Sequence, residues 1–295
     1  MKIGLVLAGG GARGAYQIGV WRALRELNIE KYVKVISGTS IGALNAVLFM
    51  KGDLSLAEEI WKNIKPNEIL PINQADLKIR KTLLDVGIKN IHFIKKYIPK
   101  MILGGNISRG GLEKIIDNLE LNFITDSDIR CYVTCTDIDK LEAKHFLINK
   151  YSCDEIKKIL LASSAIPMIY EKQKVEGEEY LDGGIVDNVP IESIYDEVCD
   201  LLIIVHLSKE SKIDKRKFNN LDIIEIVPSV VEDGALDGVL EFDSKISKER
   251  MIVGYDDTIN TITPIIKLVR FLDKEENKMT KERNNIIKRI KNIFK

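Results

Sequence analysis

Residues 2–14 read KIGLVLAGGGARG, and residues 33–50 read VKVISGTSIGALNAVLFM. Each stretch begins with an apolar run that alternates little, as in a strand covered on both faces. Each then continues through a glycine-containing turn into a helical pattern. Because strand, turn and helix occur twice within fifty residues, the sequence predicts an α/β fold that is doubly wound around a mostly parallel sheet.

The composition is that of an ordinary globular chain. The 295 residues include 44 Lys and Arg against 44 Asp and Glu, so the formal net charge is zero, and 45% of the residues are hydrophobic. This balance differs from that of disordered chains and gives no general attraction to nucleic acid. No apolar run approaches the ~18 residues needed to span a bilayer. The four cysteines are few and scattered, which favours reduced thiols and a cytoplasmic location without a zinc site.

The glycine loop, Gly9-Gly10-Gly11-Ala12-Arg13-Gly14, follows the first predicted strand and matches the pattern G-x-G-x-x-G. One interpretation is a dinucleotide-binding loop, with pyrophosphate at the N-terminus of the following helix. That interpretation also requires an acidic residue at the end of the second strand. The sequence there is Ile36-Ser37-Gly38-Thr39-Ser40, and the nearest acid, Glu30, precedes the strand. The context therefore argues against a dinucleotide cofactor.

The serine turn, Gly38-Thr39-Ser40-Ile41-Gly42, ends the second predicted strand and matches the pattern G-x-S-x-G. A strand leads into it and a helix rich in small residues leaves it, as in the sharp elbow that exposes a nucleophilic serine. The alternative is a tight turn in which Ser40 only caps the following helix. The turn by itself does not distinguish these two interpretations.

A nucleophilic Ser40 would give the glycine loop a role. Acyl transfer requires backbone N–H groups directed at the developing oxyanion, and glycines present their amides without obstruction. Gly10 and Gly11 are the candidate donors, and the amide of Ile41, directly after the nucleophile, is a third. Arg13 either adds positive charge or braces the loop, and we favour bracing.

Two groups could accept the Ser40 proton. The order Ser40, Asp182, His206 is that of the triad in α/β-hydrolases, but His206 ends an apolar strand-like run, where a histidine more often belongs to the core. Asp182, followed by Gly183 and Gly184, could instead accept the proton directly, although Asp-Gly is also a common turn. The spacing does not decide between the two.

Taken together, three separated motifs resemble the patatin-like phospholipase family: the glycine loop, the serine turn and Asp182-Gly183-Gly184. They occur in the family's order and separation. The segment Ala162-Ser163-Ser164-Ala165-Ile166-Pro167 resembles the family's sequence before the aspartate, and Asp187-Asn188-Val189-Pro190 resembles the sequence after it. The resemblance covers roughly residues 2–207.

This resemblance implies a three-layer α/β/α sandwich and hydrolysis of the acyl ester bonds of phospholipids or related lipids through an acyl-enzyme. It implies a dyad of Ser40 as nucleophile and Asp182 as base, an oxyanion hole formed by the glycine loop, and no cofactor or metal. Two rival functions stay open: a carboxylesterase with Ser40, His206 and an aspartate, and a non-catalytic module that binds lipid or nucleotide.

For domain organisation we expect a single domain of residues 1–295. Its catalytic core would span about residues 2–207 and a helical insertion about residues 53–125, where the strand patterns stop. A C-terminal extension of residues 208–295 would follow and end in a helix from about Lys281. The sequence leaves the oligomeric state open.

Two basic segments could contact the anionic inner face of a membrane. Residues 78–100 carry seven bases against one acid among apolar side chains, and residues 281–295 carry six bases against one acid with isoleucines at helical spacing. The alternative is that the apolar side chains of each segment pack on the domain core. This alternative is stronger for residues 281–295 than for residues 78–100. We therefore expect peripheral membrane contact chiefly from residues 78–100.

Overall fold

The computed structural model describes residues 1–73, 75–80, 82, 105–211, 213–218, 220–230 and 238–293. Residues 277, 278, 280 and 282–293 are described by their backbone alone. The chain divides into two compact units, Met1–Asp257 and Thr258–Lys295. The whole sheet and both motifs quoted at the outset lie in the first unit.

An eight-stranded sheet forms the centre of the first unit. Its order is β5-β6-β3-β2-β1-β7-β8, and β4 also pairs with β3. The strands are β1 Ile3–Leu7, β2 Val33–Thr39, β3 Arg130–Asp137, β4 Glu142–Leu147, β5 Gln173–Val175, β6 Glu178–Asp182, β7 Leu201–Val205 and β8 Ile223–Ile226.

The strands β3, β2, β1, β7 and β8 run parallel, whereas β4, β5 and β6 join antiparallel to this group. Every residue of β1 is buried, as the unbroken apolar run of its sequence predicts. The predicted α/β fold with a mostly parallel sheet flanked by helices is thus confirmed. Strands β4, β5 and β8 were not predicted from the sequence, because they are short or carry charged, half-exposed residues.

Seven labelled helices surround or follow the sheet in the described part of the chain. They are α1 Ala15–Glu26, α2 Ile41–Lys51, α3 Leu54–Lys62, α4 Pro66–Ile69, α5 Gly110–Asp117, α6 Cys153–Ser163 and α7 Ser244–Ile293. Helix α2 is buried on all sides from Gly42 to Met50, which explains its almost wholly apolar sequence. Helix α6 begins at a capping box formed by Ser152 and Glu155.

The predicted C-terminal helix and the predicted helical insertion have different outcomes. The C-terminal helix predicted from about Lys281 begins much earlier, at Ser244, and the sequence conceals this start because segment 244–264 contains glycine, proline and β-branched residues. The predicted insertion of residues 53–125 is helical and free of strands wherever it is described, but most of the basic segment 78–100 lies outside the described residues.

Two physical properties of the chain follow from the structure. All four cysteines are free thiols, as the sequence analysis predicted. Within the described residues, no helix combines enough length with enough apolar character to cross a bilayer.

Helices α1 and α7 approach each other closely through two glycines. A Cβ at Gly254 would lie 2.1 Å from the carbonyl oxygen of Tyr16, and one at Gly19 would lie 1.8 Å from that of Met251. Both obstacles are backbone atoms, which cannot move aside as the end of a flexible side chain can. The two helices can therefore pack at this distance only with glycine at both positions.

We expect Gly254→Ala to lower the free energy of unfolding by about 1–3 kcal/mol, because the added methyl forces the two helix backbones apart. Urea unfolding followed by circular dichroism measures the change. Gly110→Ala is the matched control, since the nearest atom to a Cβ there is Ser108 Oγ at 3.6 Å. Equal stability of the two variants would contradict the predicted close packing.

Candidate active site

Ser40 lies in a sharp turn between β2, which ends at Thr39, and α2, which begins at Ile41. Its backbone has φ 56° and ψ −123°, a conformation that residues with a side chain rarely adopt. The turn is possible because its flanks are glycines. A Cβ at Gly42 would lie 2.2 Å from the Leu7 carbonyl oxygen, and one at Gly38 would lie 2.5 Å from the carbonyl group of Gly42. The serine turn is therefore an elbow of the kind that its sequence pattern indicates.

The strained backbone of Ser40 is held by Ser163, the last residue of α6. The Ser40 N–H donates to Ser163 Oγ at 2.8 Å, and the Ser163 hydroxyl donates to the carbonyl oxygen of Thr134 in β3 at 2.6 Å. Ser163 is completely buried. One hydroxyl thus ties the elbow to the centre of the sheet. The sequence marked the segment around Ser163 by resemblance only and gave no sign of this contact.

The sheet brings Asp182 to Ser40 across β3. Thr39 at the end of β2 is the register partner of Thr134, and Asp182 at the end of β6 is the partner of the next residue, Cys135. The Ser40 hydroxyl donates to Asp182 Oδ2 at 2.6 Å. The two predicted dyad residues, far apart in sequence, are therefore hydrogen-bonded.

The environment of Asp182 alters its acidity. Burial raises the pKa of Asp182 to about 6, and the opposing influences are hydrogen bonds from Ser40 and from the Gly184 N–H and the positive charge of Arg109. The Gly184 N–H donates to Asp182 Oδ1 at 2.8 Å. At Gly183, a Cβ would lie 2.4 Å from the Thr134 carbonyl oxygen, so the turn after Asp182 requires glycine. The carboxylate is more basic than an ordinary aspartate and remains ionised at pH 7.

Arg109 is a buried cation near this carboxylate that the sequence analysis did not identify. Its guanidinium donates to the carbonyl oxygens of Leu161, at 2.8 Å, and of Glu171, and it lies 5.0 Å over the ring of Tyr170. Burial lowers the pKa of Arg109, and its charge favours the ionised form of Asp182. Arg109 lies in the predicted helical insertion of residues 53–125, and no local sequence pattern distinguishes it there from a surface base.

The glycine loop bends between β1 and α1 in a way that only glycine allows. Gly11 has φ 54°, and a Cβ there would lie 2.1 Å from the Val239 carbonyl oxygen. Asn188, from the segment after Asp182, holds the loop from the other side: the Gly9 N–H donates to the Asn188 carbonyl at 3.1 Å, and Asn188 Nδ2 donates to the Gly9 carbonyl at 3.2 Å. The loop is thus fixed against the turn that carries Asp182.

The three amides considered for an oxyanion hole are available to bind. Among the described residues, the N–H groups of Gly10, Gly11 and Ile41 have no hydrogen-bond acceptor. Gly14, the last residue of the loop, packs closely against Ile41, because a Cβ at Gly14 would lie 2.5 Å from Ile41 Cγ1. Arg13 is buried, and its guanidinium donates to the Leu207 carbonyl at 3.5 Å, which supports bracing.

His206 has other contacts. Its fully buried imidazole places Nε2 2.9 Å from Glu225 Oε2, and Nδ1 has no partner among the described residues. Burial lowers the pKa of His206. Another histidine, His145, pairs through Nδ1 with the Thr134 hydroxyl at 2.9 Å. The Ser40 hydroxyl bonds to Asp182, so the geometry gives no support to a triad with His206.

An apolar cavity beside the serine turn contains about 660 Å³ of space, part of which is open solvent. Gly11, Ser40 and Ile41 line it together, so the nucleophile candidate and two amide candidates face the same space. Nearly all of its other walls are hydrocarbon or aromatic side chains, among them Leu44, Leu48, Trp61, Ile64, Ile69, Leu112, Tyr170 and Phe242. Such a cavity suits an uncharged, chain-like group.

Curated proteins of similar sequence include lysophospholipases. The lysophospholipase nte1 of Aspergillus terreus is 26% identical over 197 residues, which are 64% of this chain and 11% of that protein. The chain thus spans about a tenth of the length of the first curated relatives it matches.

Two solved structures share the fold. VipD from Legionella pneumophila has a TM-score of 0.53 at 15% identity, covering 89% of this chain and 67% of that one. Human GIVD cytosolic phospholipase A2, solved in complex with methyl gamma-linolenyl fluorophosphonate, has a TM-score of 0.50 at 12% identity, covering 92% and 58%.

The family model described as patatin-like phospholipase matches residues 5–195. That range contains the glycine loop, the serine turn, Ser163 and Asp182, and it exceeds half of the 295 residues. This chain belongs to the patatin-like phospholipase family.

Proposed function

We propose that this protein is a serine acyl hydrolase that cleaves ester bonds of phospholipids or related acyl lipids through a Ser40–Asp182 dyad. The observation that carries the proposal is the 2.6 Å hydrogen bond from the Ser40 hydroxyl to Asp182 Oδ2, beside an apolar cavity. Family membership supports the reaction class. The apolar cavity walls support an acyl chain as the bound group.

In the proposed reaction, Asp182 takes the hydroxyl proton as Ser40 Oγ attacks the ester carbonyl carbon. The carbonyl oxygen becomes an oxyanion, which the amides of Gly10, Gly11 and Ile41 stabilise. The C–O bond to the leaving alcohol then breaks, the alcohol takes the proton from Asp182, and the acyl group stays on Ser40. Water, deprotonated by Asp182, attacks this acyl-enzyme, and release of the fatty acid returns the proton to Ser40.

The pKa of about 6 suits Asp182 for both halves of this cycle. A base is most effective when its pKa lies close to the working pH, because it is then ionised and yet accepts a proton readily. An exposed aspartate with a pKa near 4 would be ionised but a weaker base. Burial supplies this basicity, and the Arg109 charge keeps the carboxylate ionised at neutral pH.

Two other parts of the proposal rest on sequence. Peripheral membrane contact by residues 78–100 stays a prediction, since most of that segment lies outside the described residues. The division into a catalytic core of residues 2–207, a helical insertion and a C-terminal extension also stays a prediction. A non-catalytic lipid-binding module is the alternative function, and covalent labelling separates it from an enzyme.

We expect Ser40→Ala and Asp182→Asn each to lower kcat/KM for a p-nitrophenyl ester at least ~10³-fold, because each removes one member of the dyad. Ser40→Ala should also abolish labelling by a fluorophosphonate probe. His206→Gln, checked for folding by circular dichroism, is the control and should keep most of the activity. A wild-type protein that the probe does not label would sink the proposal, and loss of activity in His206→Gln alone would replace the dyad with a triad.

The activity should rise with pH through about 6. Only the ionised Asp182 accepts the serine proton, so kcat/KM increases about tenfold per pH unit below the pKa and is constant above it. Arg109→Met removes a charge that lowers the pKa of Asp182, and the midpoint of the profile should move to higher pH. A pH–rate profile for both proteins measures this. An unchanged midpoint in Arg109→Met would show that Arg109 does not act on the base.

Ser163→Ala should lower kcat about 10- to 100-fold with little change in KM, because the hydroxyl orients the Ser40 backbone and lies away from the substrate cavity. Steady-state kinetics on a soluble ester separates the two constants. Ser247→Ala is the matched control, since Ser247 is also completely buried and its hydroxyl has no hydrogen-bond partner among the described residues. Equal kcat in the two variants contradicts the positioning role of Ser163.

A further inference from the structure

The second unit, Thr258–Lys295, carries an exposed apolar face on the part of α7 that follows Pro264. Ile265, Leu268, Val269 and Leu272 lie on one side of this helix, since the last three follow Ile265 by 3, 4 and 7 residues. Each of these side chains is between 40% and 58% exposed, and Glu276 ends the apolar stretch on the same side one turn later. We name these four residues the apolar face.

Basic residues occupy the opposite side of the same helix. Lys267, Arg270 and Lys274 follow Ile265 by two, five and nine residues, spacings that turn them roughly half a circle away from it. Lys281 continues this row seven residues after Lys274. All four side chains are exposed. The helix is therefore amphipathic, with hydrocarbon on one side and positive charge on the other.

We infer that residues 265–281 lie in the surface of an anionic phospholipid bilayer, with the apolar face among the acyl chains. A helix with aliphatic side chains on one side and Lys and Arg on the other binds in this orientation, through buried apolar area and attraction to anionic headgroups. The inference rests on the proposed function only in that a bilayer also presents the lipid substrate.

A second copy of the chain fits this face less well. A coiled-coil seam needs apolar residues three or four positions apart over several turns. One turn beyond Leu272 the corresponding positions are Glu275 and Glu276. A seam longer than the two turns of the apolar face would bury Glu276, whereas a bilayer surface can take up the apolar face alone and leave Glu276 at headgroup level.

Flotation with vesicles tests the inference on the full-length chain. We expect binding to vesicles of equal phosphatidylglycerol and phosphatidylcholine in low salt, weaker binding in 0.5 M salt, and little binding to phosphatidylcholine alone. Leu268→Glu with Leu272→Glu should lower the partition coefficient at least about tenfold. Lys267→Glu with Lys274→Glu should lower it on anionic vesicles alone, by about fivefold or more per base. Glu276→Gln should raise it.

The controls separate this inference from the proposed function. Ile252→Glu changes an exposed isoleucine of the first unit, at 57% exposure, and should bind vesicles as the wild type does. Ser40→Ala should also bind normally, and Leu268→Glu with Leu272→Glu should turn over a soluble p-nitrophenyl ester at the wild-type rate. Vesicle binding without turnover in the wild type overturns only the proposed function, and turnover without vesicle binding overturns only this inference.

Two further outcomes overturn the inference. Binding that is equal on anionic and neutral vesicles, or unchanged by both double variants, would exclude the basic and apolar sides of the helix as the contact. A wild-type dimer in light scattering that Leu268→Glu with Leu272→Glu converts to a monomer would assign the apolar face to a second copy of the chain.

Discussion

Ser40 adopts φ 56° and ψ −123°, a conformation that costs on the order of 1–3 kcal/mol for a residue with a side chain. The surrounding structure maintains it in two ways. Glycines at 38 and 42 leave space for the backbone to fold tightly against Leu7, and Ser163 accepts the Ser40 N–H. The strain directs the hydroxyl out of the sheet and toward Asp182. The elbow, the placement of α2 and the dyad geometry all depend on this one residue.

Burial and polar contacts shift the pKa of Asp182 in opposite directions. Removal from water raises the pKa of the carboxyl group, whereas the Ser40 hydroxyl, the Gly184 amide and the Arg109 charge lower it, and burial prevails with a value of about 6. Burial also raises the pKa of Asp187, five residues further on, to about 6, and the negative charge of Glu192 contributes. Asp187 bonds through its backbone carbonyl to the Thr39 hydroxyl. The Asp187 carboxylate lies 3.7 Å from His145 Nε2, whereas that of Asp182 accepts from the Ser40 hydroxyl.

The two units have different apolar surfaces. In the first unit, an apolar cavity that is partly open to solvent lies beside Ser40, and its polar groups are limited to the serine turn and a few hydrogen-bonded side chains. In the second unit, apolar side chains are exposed on one side of α7 and bases on the other. The zero net charge of the whole chain conceals this local separation of charge, which only the helical arrangement makes visible.

Local patterns in the sequence predicted part of the fold. Short apolar runs predict β1 and β2, and glycines at fixed offsets predict the loop and the elbow, because steric limits on φ and on close approach act within a few residues. Strands β4, β5 and β8 and the early start of α7 were missed, since short or half-exposed strands and a helix with proline and many β-branched residues lack a clear local pattern.

The contacts of the candidate active site come from the packing of distant segments. Sheet order places β3 between β2 and β6, so Thr39 and Asp182 become neighbours of consecutive β3 residues and the Ser40 hydroxyl reaches the carboxylate. The same order directs His206, at the end of β7, to Glu225 on the neighbouring strand. Arg109 and Ser163 enter the site from separate helical segments. Such contacts join residues distant in sequence, and no local pattern records them, because they depend on how the strands and helices pack.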